Sequence, residues 1–222
     1  MLTMAFGLAL AQQTGERFDS LVREDFFAGL DGDTARFERA MKKCESVLAA
    51  EPKNAAAMVW HGGGVFYQSG AAFRRGDVET GMALHQRGLK EMADAVALEP
   101  ESVQTRIPRG AILLGSARFM EDQYAKPLLV TAVADYEKAL DLQRSGYAQM
   151  GVHSKGELLG GLADGYRRLG DTAKSREYLE RMVRDLPGSP YEKQAKRWLA
   201  DPAAVGKQER FCLGCHSEPA TR

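Results

Sequence analysis

One helix ending recurs along this chain and limits the folds open to it. Ser46-Val47-Leu48-Ala49-Ala50-Glu51-Pro52, Ala95-Val96-Ala97-Leu98-Glu99-Pro100 and Tyr136-Glu137-Lys138-Ala139-Leu140-Asp141-Leu142 all read as the close of an amphipathic helix. Arg144 takes the proline position in the third, and Pro187 closes a fourth. Proline lacks the N–H that a continuing helix needs, so it marks a stop. The stops at 52, 100, 144 and 187 are spaced by 48, 44 and 43 residues. Between Phe18 and Leu199 Ala, Leu, Glu, Lys and Arg abound, and no alternating β-branched run is present, so the chain reads as all-α. A helical unit repeated at this period cannot bury its apolar face alone and has to stack on its neighbours.

The last unit is the clearest. Leu159, Leu162, Ala163, Tyr166, Gly170-Asp171, Ser175, Leu179, Met182 and Pro187 fall at the spacing of large, small, turn and proline positions in the tetratricopeptide repeat, which this unit resembles. Ser175 and Met182 stand where that family prefers alanine, which should loosen the approach of its two helices. The resemblance implies a first helix from about Ser154 to Leu169, a turn at Gly170 and Asp171, and a second helix ending at Pro187. These repeats are longer than the family's usual period of about 34 residues. In the second unit Gly76-Asp77 lies 24 residues before Pro100, against 17 between Gly170 and Pro187, an excess of about two helical turns. Ser189 and Pro190 suit an N-cap and first residue of a closing helix, Tyr191 to Ala200, whose Trp198 and Leu199 should cover the end of the array. The expected fold is a tetratricopeptide-like helical-hairpin solenoid of about four stretched repeats over residues 12–200, followed by a short tail, 201–222.

Charge and the amino terminus bear on location. Thirty acids balance thirty bases, giving no electrostatic footprint for nucleic acid. Met1 to Ala11 is an apolar run ending in Ala9-Leu10-Ala11, whose small residues suit signal-peptidase cleavage after Ala11. It lacks the usual preceding Lys or Arg, and a buried first helix is the other reading. No other segment approaches the roughly 20 apolar residues of a membrane span, so the expectation is an exported, periplasmic protein, soluble or peripheral to the membrane.

Near the carboxyl end stands Cys212-Leu213-Gly214-Cys215-His216. Two thiols at this spacing can add to the vinyl groups of a haem while the adjacent imidazole ligates its iron. The motif resembles the attachment signature of c-type cytochromes, which implies one covalent haem c held by Cys212 and Cys215, with His216 as proximal ligand. A zinc or redox CxxC is the weaker alternative, since no second Cys/His pair completes a zinc set. Ala203 to Arg222 is too short to enclose a haem, so the cofactor has to lean on the solenoid, on a partner or on another copy of the chain.

Candidates for the opposite face of the iron are His61, His85, His153 and the nine methionines. His61 leads because it begins His61-Gly62-Gly63-Gly64, and three glycines in a helix cost about 2–3 kcal/mol against alanine. A flat face against a macrocycle or another helix would justify that cost, and a packed histidine is the plainer account. His153 reads as an exposed loop residue and His85 as part of a solvated face. Arg106 and Arg109 flank Pro108 and could clamp haem propionates or the acidic terminus of a peptide, or simply face solvent. Cys44 reads as a small buried hydrophobe, and Trp60, Phe66, Tyr67 and Phe73 as core. No catalytic triad, HExxH or phosphate loop is present. The expected function is electron transfer by an exported haem protein working with a redox or scaffold partner, or within a homo-oligomer. A cofactor-free adaptor that binds peptides or partner helices in its groove is the alternative, and a five-coordinate haem enzyme a third.

Overall fold

The computed structural model describes residues 17–206 and residue 209. Among these are nine α-helices and no strand: α1 Phe18–Leu30, α2 Thr34–Ala50, α3 Ala55–Arg74, α4 Val78–Leu98, α5 Val103–Ser116, α6 Asp122–Leu142, α7 Val152–Leu169, α8 Thr172–Asp185 and α9 Pro190–Ala200. They pack as four hairpins, α1/α2, α3/α4, α5/α6 and α7/α8, with α9 closing on α8. This is an all-α helical-hairpin solenoid. The second helices end at Ala50, Leu98, Leu142 and Asp185, each two residues before a stop read from the sequence. The stretch also lies where expected, since α4 has 21 residues and α8 has 14.

Local chemistry sets the hairpins. Gly32, Gly76 and Gly170 carry φ of 111°, 77° and 87°, a left-handed conformation that ends a helix cheaply only at glycine. The aspartate after each accepts the N–H three residues on: Asp33 from Arg36 at 3.0 Å, Asp77 from Thr80 at 3.1 Å and Asp171 from Lys174 at 3.0 Å. Asn54, Ser102 and Ser189 cap α3, α5 and α9. The α5/α6 hairpin departs from this pattern. A 3₁₀ turn, Ala117–Phe119, leads into an extended Met120 with φ −110° and ψ 156°. After α6, Arg144 opens a second 3₁₀ run, Arg144–Gln149.

The glycine run serves helix packing. A Cβ at Gly88 would lie 2.5 Å from the Phe66 amide nitrogen and 2.6 Å from the Gly62 carbonyl, so α3 and α4 touch backbone to backbone. A Cβ at Gly63 would strike Ile112 of α5, and one at Gly64 would strike Met41 of α2. Three neighbours thus approach α3 on different sides, and the flat face expected here belongs to helices. Ser175 and Met182 do not loosen the last hairpin: the Ser175 hydroxyl donates to the Ala163 carbonyl at 2.8 Å, and Met182 is fully buried. Trp198 fills the end of the array beside Leu159, Leu179 and Leu186, and Leu199 packs against this cluster. Cys44 is fully enclosed, and burial, aided by Glu45, pushes its thiol up to about 12. No helix among the described residues is long and apolar enough to cross a membrane.

Gly88→Ala should therefore cost about 1–3 kcal/mol by overpacking. Gly115→Ala, whose Cβ would meet nothing within 4 Å, should gain about 0.5–1 kcal/mol of helix propensity. Urea denaturation of the two variants measures the contrast.

Candidate functional site

The first helices of the four hairpins line one face and enclose a groove of about 720 Å³. Phe26, Phe27 and Leu30 of α1 form one end, and Trp60, Tyr67 and Phe73 of α3 form a wall. Ile112 of α5 stands opposite with Phe119 and Met120 beyond it, and Gly160 and Gly161 of α7 close the far side. Backbone paves much of the surface at Gly63, Gly64, Gly70 and Gly115. Phe26 stacks on Trp60 with ring centroids 5.1 Å apart and meets Phe37 edge-on at 5.7 Å, which fixes the inner end. The buried indole Nε1 of Trp60 has no hydrogen-bond partner, an omission that costs about 1–3 kcal/mol in a closed core. The aromatics read as core divide on inspection. Trp60 and Phe66 are buried, Tyr67 is half-buried, and Phe73 stands 37% exposed at the groove; Phe119, which the sequence did not single out, stands there 71% exposed.

A buried charge cluster forms the floor. Asp164 of α7, 1% exposed, pairs with Arg118, with Arg167 at 2.8 Å and more distantly with Arg168 at 3.9 Å. Arg118 and Arg168 also donate to the Leu114 carbonyl at 3.0 and 2.7 Å, satisfying the open end of α5. Burial lowers the Arg168 guanidinium to about 10, with Asp164 opposing the shift. The sequence reading missed this cluster. Arg118 and Asp164 lie 46 residues apart in the chain, and no local pattern joins them.

The arginine pair has an internal partner. Arg106 and Arg109 hold the buried Asp135 carboxylate of α6, with contacts of 3.0 Å from Arg106 and of 2.6 and 2.7 Å from Arg109. They do clamp a carboxylate, as their chemistry suggests, but it is the chain's own, so a haem propionate or peptide terminus is not what occupies them. His61 lies at the α3/α4 contact, its Nδ1 2.6 Å from Glu91, and it does not line the groove. His85 is half-buried, its ring packed on Phe66 with centroids 4.8 Å apart, and burial lowers its pKa. His153 belongs to the first turn of α7, not to a loop, and its Nδ1 lies 3.0 Å from the Tyr191 hydroxyl. The structure thus brings none of these three imidazoles to the groove.

Cys212, Cys215 and His216 lie outside the described residues, as does the apolar run Met1 to Ala11. The described chain does continue toward them: Glu209 accepts from the Trp198 indole at 2.9 Å and pairs with Arg197. Among the described residues no group of three or more His, Cys, Asp or Glu side chains converges on a metal-sized site. The groove is apolar, half-open and aromatic-walled, with one thioether, Met120, on its lining. It suits a flat apolar body or the greasy face of a helix. No protein-family model matches the chain, and no curated protein is similar to it.

Two outcomes test this geometry. Asp164→Ala leaves buried guanidinium charge uncompensated and should cost about 3–5 kcal/mol in chemical denaturation. At Glu91 burial alone would raise the carboxyl, but hydrogen bonds from His61 and Arg87 outweigh it and hold the group below its ordinary 4.5. A carboxyl depressed on folding adds stability above its unfolded pKa and loses it as pH falls through the folded value. Glu91→Gln should therefore be less stable than wild type at neutral pH, with the gap closing on acidification below 4.5.

Proposed function

We propose that this chain is an exported haem c protein in which a helical-hairpin solenoid of tetratricopeptide-like repeats carries a tail-borne haem for electron transfer. The observation that carries the reading is Cys212-Leu213-Gly214-Cys215-His216, which uses two of three cysteines and one of four histidines in the register of thioether attachment. Cys212 and Cys215 would hold the porphyrin, and His216 would ligate its iron. The group supplies one-electron chemistry when bound. The apolar run ending at Ala11 supports export to the periplasm, where such attachment takes place, and the balanced charge favours a protein partner over nucleic acid.

The lining of the groove supports the reading. The aromatic walls would exclude water from a macrocycle, and Gly115 leaves open space where a side chain would obstruct a flat ring. Excluding water around the iron raises the cost of placing charge there, which is how a protein tunes a reduction potential. The redox partner would be a protein, and a homo-oligomer would equally bring haem tails together.

A second reading has its own support. Phe73 and Phe119 expose aromatic surface beside the groove, as an adaptor that takes a peptide or partner helix would. The two readings separate on one preparation. Chain produced with haem-attachment machinery should be coloured, should keep its haem through acid-acetone extraction and denaturing electrophoresis, and should carry a single haem adduct by intact mass. A colourless product of unmodified mass would eliminate the haem reading and leave the adaptor. Replacing Cys212 and Cys215 by alanine should abolish the colour and preserve helicity by circular dichroism. In that variant Cys44 is the one remaining thiol and should resist thiol reagents until the protein is unfolded, because it is fully enclosed and burial pushes its thiol up to about 12.

A further inference from the structure

We propose that the groove binds a long-chain fatty acid, with its hydrocarbon laid along α3 and its carboxylate on Arg74. The inference goes beyond the haem reading and does not rest on it.

The shape comes from α3. Trp60, Gly63, Tyr67, Gly70 and Arg74 all line the groove, and their spacing of three and four residues is that of one helix face. The groove therefore follows α3 over fourteen residues, a rise of about 21 Å. Spread over that length, its 720 Å³ gives a mean cross-section of roughly 34 Å², less than half that of a helix about 10 Å across. A helix could lay only one face on it, whereas an unbranched hydrocarbon chain could enter whole. Bare backbone at Gly63, Gly70 and Gly115 leaves the passage unobstructed, and Leu30, Ile112 and Phe73 give it apolar walls. Hydrocarbon lying there leaves water together with the exposed part of the Phe73 ring, which supplies the affinity.

Charge decides where the head lies. The lining carries four charged side chains, Arg74, Arg118, Glu157 and Asp164. Arg118 and Asp164 pair with each other, and Glu157 lies 3.9 Å from His153. Arg74 alone of the four has a side chain with no hydrogen-bond or ion-pair partner among the described residues. A Cβ placed on Gly70 would lie 3.5 Å from its Nη1, so the guanidinium folds back along α3 over the groove. The result is an apolar channel with one uncompensated positive charge at one end. A neutral chain would leave that charge unpaired, and a cationic amphiphile would be repelled by it. A carboxylate completes it, since guanidinium and carboxylate match as a two-bond fork. The carboxyl end of α3 carries about half a negative charge, which the full charge of the guanidinium exceeds.

The test is equilibrium dialysis of labelled palmitate, below its micellar range, against the full chain with any haem it carries. Wild type should show one saturable site per chain, with hexadecanol bound more weakly and hexadecyltrimethylammonium more weakly still. Arg74→Gln should lower palmitate affinity about tenfold and leave hexadecanol unchanged. Arg75→Gln, on the next residue but off the lining, should alter neither. Gly115→Leu, whose Cβ meets nothing, and Gly70→Leu, whose Cβ touches only Arg74, should fill the groove and abolish binding of both chains at unchanged circular dichroism. Absence of a saturable palmitate site, or wild-type affinity in Arg74→Gln or in a folded glycine variant, overturns the inference. So does an equal loss of palmitate and hexadecanol in Arg74→Gln. Any of these leaves the haem reading standing, because intact mass reports the haem separately.

Discussion

The Asp164 carboxylate holds the concave side of the molecule together. It is buried on α7, yet its partners come from the turn after α5 and from α7 itself, and two of them also satisfy the Leu114 carbonyl. A buried carboxylate is tolerable only when charge and hydrogen bonds compensate it fully, so its position fixes theirs. Through Arg167 the same cluster reaches Trp198 and the closing helix. Groove floor, third hairpin and end cap are thereby coupled. A second buried carboxylate, Asp135 between Arg106 and Arg109, does the same work between α5 and α6.

Around these polar anchors the array follows ordinary solenoid physics. Each hairpin presents an apolar stripe that its neighbour covers; one core runs from α1 to one side of α7, and a second, between α7, α8 and α9, closes the array. The first helices face the groove and the second helices back them. At α3 the backbone contact with α4 and the close approach of Ile112 and Met41 leave no room for side chains at Gly62, Gly63 and Gly64. A groove paved partly by backbone is broader and flatter than one lined by side chains, and aromatic rings at its edge give it an apolar rim.

Helix content, hairpin turns and repeat ends were legible because each depends on a few adjacent residues. Gly76-Asp77 and Gly170-Asp171 state their turn in two letters, and the excess length of α4 could be counted from one turn to the next stop. Gly32-Asp33 carries the same signal and was there to be read. The groove was not legible. Its lining comes from four hairpins, and nothing local distinguishes Trp60, which is buried, from Phe73, which is exposed on the same helix. Arg106 and Arg109 could be read as a carboxylate clamp or as solvent-facing, and only the approach of α6 decided that they hold the buried Asp135.

The amino-acid sequence alone determined that the chain forms stacked helical hairpins and that it bears two thiols and an imidazole as Cys212-Leu213-Gly214-Cys215-His216, because helix stops and short motifs are written within a few residues. Only the tertiary structure decided that the glycine run belongs to helix contacts, that His61 answers to Glu91, and that an aromatic-walled groove forms with Met120 on its lining. Those outcomes depend on the relative placement of helices dozens of residues apart, and that placement is set by packing and buried charge summed over the whole array.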